Sequence, residues 1–117
     1  MNNSKSNFDF KPLDIFLSQF SKGDIQYEKK LRSELVMELR LIQSKLQVDM
    51  EDAKWQSIIY SVSQLKSLFQ IIELKTILDE INTFPDVNVD ILNRLQKEDV
   101  VEKIIKLISV LIVQISK

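Results

Sequence analysis

Chemistry in a protein site calls for a nucleophile, a proton carrier matched to neutral pH, or donors that hold a metal or a phosphate. The 117-residue chain has no histidine. That removes the side chain best suited to general acid–base work near neutrality, the imidazole ligands of most zinc and copper sites, and the Glu-x-x-His pairs of di-iron bundles. It has no cysteine either, which removes disulfides, thiol nucleophiles, iron–sulfur clusters and thiolate zinc sites. The single glycine, Gly23, cannot build a P-loop or a G-x-G-x-x-G turn, because both need several positions where backbone approaches phosphate. Serine–lysine and two-carboxylate chemistry stay formally open, but no spacing points to them. The chain is therefore expected to be no enzyme, with no catalytic, cofactor or metal-binding residue and no small-molecule substrate.

Two side-chain patterns remain that could meet a partner. Residues 55–72 hold one charge, Lys66. On a helical wheel Gln56, Tyr60, Ser63, Ser67 and Gln70 form a narrow polar stripe opposite Trp55, flanked by Ser57, Ser61 and Gln64. Surface helices usually solvate their outer face with Glu, Lys and Arg. Uncharged Ser, Gln and Tyr cost less to desolvate, since a hydrogen bond satisfies each, whereas a buried charge needs a counter-charge. Residues 107–116 repeat the theme, with Val110 and Val113 on an outer face that carries no charge. Packing of the stripe against the first or last helix, with its own helix at the centre of the bundle, is the simpler account. Burial against a second copy or another protein is the functional one. The other pattern is basic: Lys29, Arg32 and Arg40 fall on one side of a helix, Glu34 and Glu38 on the other. Solvated edges explain these charges simply, and contact with phosphate is the functional alternative.

The elements that must position these residues read as helices throughout. Pro12 suits a first helical turn, Leu13, Phe16, Leu17 and Phe20 recur at helical spacing, and Gly23 supplies a stop, so a helix is expected over about 11–22. Asp24 is an N-cap for a second helix reaching about Val48. Its main stripe is Leu31, Leu35, Leu39, Ile42 and Leu46, and a second strip (Met37, Leu41, Val48) suggests that it touches two neighbours. From Asp52 to Asn82 the helical pattern is the longest, with Trp55, Ile58, Ile59, Val62, Leu65 and Phe69 in one arc and a bend or break expected near 73–76. Phe84-Pro85 ends it. Asp86 or Asn88 is expected to cap a short helix carrying Ile91, Leu92 and Leu95, with a kink over Asn93–Asp99. The last helix is expected from Glu98-Asp99, supported by Asp99–Lys103 and Glu102–Lys106 pairs and by the rhythm Val101, Ile104, Ile108, Leu111, Ile115.

The fold class is thus all-α, a compact bundle of four to five helices without a sheet. Residues 1–7 read as a disordered tail, and 8–117 as one domain or the N-terminal domain of a longer protein. Sixteen basic and seventeen acidic residues give a net charge of −1, without the basic excess of a typical nucleic-acid binder. The longest uncharged, mostly apolar run at the C-terminus, 107–116, falls short of the roughly 20 residues a bilayer requires, and the N-terminus lacks the apolar stretch of a secretion signal. A cytoplasmic protein–protein interaction module is expected: an adaptor, inhibitor or assembly subunit that binds a partner or itself, as in a homodimer. The alternative is a small helical subunit of a nucleic-acid-handling complex, touching phosphate through Lys29, Arg32 and Arg40.

Overall fold

A computed structural model of the protein describes residues 10–72, 74–85 and 92–117. Those residues form five helices and no strand: α1 (Lys11–Ser21), α2 (Ile25–Glu51), α3 (Trp55–Ile71), α4 (Lys75–Asn82) and α5 (Arg94–Ile115). None is long and apolar enough to cross a membrane. The tail expected over 1–7 and the short helix expected after Asp86 or Asn88 lie wholly or largely outside the described residues.

Helix boundaries follow local chemistry. Pro12 sits in the first turn of α1. At its end Lys22 is left-handed (φ 54°) and Gly23 follows at φ 80°. The Lys22 amide donates to Gln19 and the Gly23 amide to Ser18, the paired bonds of a Schellman turn. Asp24 then caps α2 by accepting from the Tyr27 amide at 3.1 Å. The same device ends α2: Ala53 is left-handed (φ 56°), and the amides of Ala53 and Lys54 donate to Met50 and Asp49.

The molecule measures 48 × 32 × 21 Å, and its shortest dimension matches two layers of helices about 10 Å apart. The central element is α2, which packs against α1, α3 and α5, while α4 packs on α3. This corrects the expectation that the helix carrying the polar stripe is central. Leu39, Ile42, Leu46 and Met50 of α2 are buried with Leu13 and Leu17 of α1, Ile58, Leu65 and Phe69 of α3, and Val101, Ile104, Ile108, Leu111 and Ile115 of α5. Phe20, on the same helical stripe as buried Leu13 and Leu17, is itself half exposed and leans on Phe16 and Tyr27 with ring centroids 5.8 and 6.3 Å away.

One boundary falls close to where it was expected and one differs. The long pattern over 52–82 divides between Ile71 and Lys75, beside the 73–76 stretch where a bend or break was expected. Division lets Ile72, Leu74, Ile77 and Ile81 all reach the core. The last helix begins at Arg94, inside the segment expected to kink, because Asn93 and Gln96 form a capping box: each side chain accepts from the other's backbone amide. The predicted Asp99–Lys103 pair forms at 3.1 Å.

Ser61 of α3 is fully buried, and its hydroxyl has no hydrogen-bond partner among the described residues. Leaving such a group dry costs about 1–3 kcal/mol. Ser61→Ala removes the orphan and suits the helix better, so a stability gain of about 1 kcal/mol is expected as a raised urea midpoint; a lowered one would mean that the hydroxyl is satisfied in solution.

Candidate functional site

The α3 stripe faces outward. Gln56, Tyr60, Ser63, Ser67 and Gln70 are all exposed, as are Gln64 and Ile71, while Ile58, Leu65 and Phe69 point into the core. Internal packing against the first or last helix therefore does not account for the missing charge. Tyr60 is 63% and Ile71 64% exposed, two large side chains three turns apart on one face. Lys66, the single charge of this segment, is half-buried at the edge, in a small cleft with Ser63, Phe84 and Pro85. Val110 of α5 reaches the same Phe84–Pro85 segment from another groove, and Val113 is 61% exposed.

The second apolar strip of α2 behaves likewise. Met37, Leu41 and Val48 were expected to touch a second neighbour, yet they are 63%, 63% and 54% exposed, because α1, α3 and α5 all pack on the other side of the helix.

The three basic residues converge. Lys29, Arg32 and Arg40 line one open groove of about 680 Å³ with Lys117 and an apolar floor of Val36, Met37 and Ile115. Their environments differ. Arg32 donates to Asp14 of α1 at 2.9 Å, to Glu28 of α2 at 3.1 Å, and to the Ile115 carbonyl of α5 at 3.4 Å. Partial burial alone would lower its pKa; the bonds to Asp14 and Glu28 outweigh that and hold it above its ordinary value. Arg32 thus joins three helices and caps the negative end of α5. Lys29 and Arg40 are exposed, with no ion-pair partner among the described residues.

One constellation was not foreseen. Asp49, at the end of α2, is 5% exposed. It accepts a hydrogen bond from the Ser57 hydroxyl of α3 and pairs with Lys45 at 3.1 Å, and Lys45 also donates to Ser57 at 2.8 Å. The available signals were the Lys45–Asp49 spacing of one helical turn and a serine eight residues on. A serine, a lysine and a carboxylate are thus in mutual contact, with the carboxylate charged. Burial would raise the Asp49 pKa; the Ser57 hydrogen bond and the Lys45 and Lys54 charges prevail and hold it below its ordinary value. The trio ties Lys45 and Asp49 of α2 to Ser57 of α3 across the turn between the two helices. No group of three or more acidic residues suited to a metal ion occurs among the described residues.

Comparison with protein-family models, with curated proteins and with solved structures found no match to the chain.

Because the folded pKa of Asp49 lies below its ordinary value near 3.8, its contribution to stability is complete above that value and is lost as pH falls through the folded pKa. Urea denaturation should therefore show Asp49→Asn less stable than the unaltered protein at neutral pH, with the gap closing under acid. A gap independent of pH would mean that the carboxylate charge plays no part.

Proposed function

We propose that the protein is a non-enzymatic interaction module that buries the outer face of α3 against a protein partner. One observation carries this reading: from Gln56 to Ile71 the helix presents an exposed face with no charged side chain, about 24 Å long. Exposure removes the internal explanation for the missing charge. Interface cores are depleted in charge and enriched in tyrosine, and Ser and Gln supply hydrogen bonds that desolvate cheaply. Tyr60 and Ile71 serve as the anchors, with Ser63, Ser67, Gln56 and Gln70 around them. The alternative, contact with nucleic acid along α2, is weakened by Arg32, four of whose five N–H donors are engaged by Asp14, Glu28 and Ile115. That leaves Lys29 and Arg40 without an aromatic platform for bases.

The double variant Tyr60→Glu, Ser67→Glu places two charges on this face. Both side chains are exposed, so the helical circular dichroism and melting temperature should be kept. Affinity capture from the native host should recover a partner with the unaltered protein and lose it with the variant. A partner captured equally by both would overturn the assignment to α3.

A further inference from the structure

We infer that two copies of the chain pair antiparallel through the outer face of α2. Along this helix Met37, Leu41, Ser44 and Val48 are all exposed. Their spacings of four, three and four make the seam of a two-helix coil, and it lies opposite the side that α1, α3 and α5 cover.

The side chains select the second copy and its direction. In a two-fold pairing centred between residues 42 and 43, Met37 packs on Val48 of the second copy, and Leu41 enters the space over its Ser44. Large meets small twice. Beside the seam, Glu38 comes opposite Lys45 of the second copy, again twice by symmetry, and Arg40 meets the uncharged Gln47. Lys45 spends two of its three donors on Asp49 and Ser57, which leaves one for the incoming carboxylate. A parallel, in-register pair would instead set Arg40 against Lys45 on both flanks, which like-charge repulsion disfavours. Glu34 and Glu51 meet across the ends of the antiparallel arrangement and limit the seam to about 17 Å. So short a contact belongs with transient associations, below the roughly 1,000 Å² of stable interfaces. The pair is weak and depends on concentration.

The lack of cysteine makes the test direct. Sedimentation over a concentration series should show the mass rising from one chain toward two. Leu41→Glu should hold it at one chain without altering the melting temperature, since residue 41 is 63% exposed. Under mild oxidation, Leu41→Cys chains mixed with Ser44→Cys chains should form the mixed disulfide in preference to either homodimer. The Tyr60→Glu, Ser67→Glu variant should dimerise normally, which separates this surface from the α3 face. A mass of one chain at every concentration, preferential self-cross-linking of Ser44→Cys, or loss of dimer in the α3 variant would each overturn the proposal.

Discussion

The structure depends on the antiparallel seam between α2 and α5. The start of α5 is held where Arg94 donates to the Glu51 carbonyl at the end of α2. Its middle is held where Gln43 donates to the Ile105 carbonyl and to Ser109. Its end is held by Arg32 on the Ile115 carbonyl. Between these points Leu39, Ile42 and Leu46 face Val101, Ile104, Ile108 and Leu111 in the buried core. The apolar contact supplies most of the free energy and is indifferent to small slips; the three side-chain bonds to carbonyls set the register.

This arrangement accounts for the charge distribution. A helix that receives three neighbours on one side has its other side free. On α2 that free side is apolar at Met37, Leu41 and Val48; on α3 it is polar but uncharged. Both contrast with α5, where Glu102, Lys103 and Lys106 are exposed and solvate the middle of the helix in the ordinary way. Two helices of one small bundle thus carry outer faces of low desolvation cost, differing in chemistry: α3 offers hydrogen-bonding groups around two large side chains, α2 a narrow row of knobs.

The helices and much of their core were readable in the sequence, because Asp24, Pro12 and Gly23 act through local backbone geometry and the rhythm of Val101 to Ile115 has one geometric solution. The start of α5 was equally local, but Asn93 and Gln96 sit in a polar stretch that also suits a loop, and only the reciprocal bonds decide between them. The division of α3 from α4 was legible near 73–76 as a pattern too long for one helix, but its consequence, that Leu74 and Ile77 both reach the core, was not. Exposure was the least readable property. A helical wheel states which residues share a face, not whether another helix lies over it; Ser, Gln and Tyr are tolerated on either side of that boundary. The Lys45–Asp49–Ser57 contact could not be read from spacing alone, because it needs the turn at Ala53 to bring α3 back against α2.

The Arg32 bond to Ile115 spans 83 residues, and this has a consequence for the protein's synthesis. A ribosome completes α1 to α4 before it makes the last turns of α5, so the side of α2 that α5 will cover is bare on the nascent chain. During that interval Leu39, Ile42 and Leu46 are open to other chains or to chaperones. Helices α1 and α3 have their α2 grooves early, yet the register of the whole bundle is locked only when the final turn emerges.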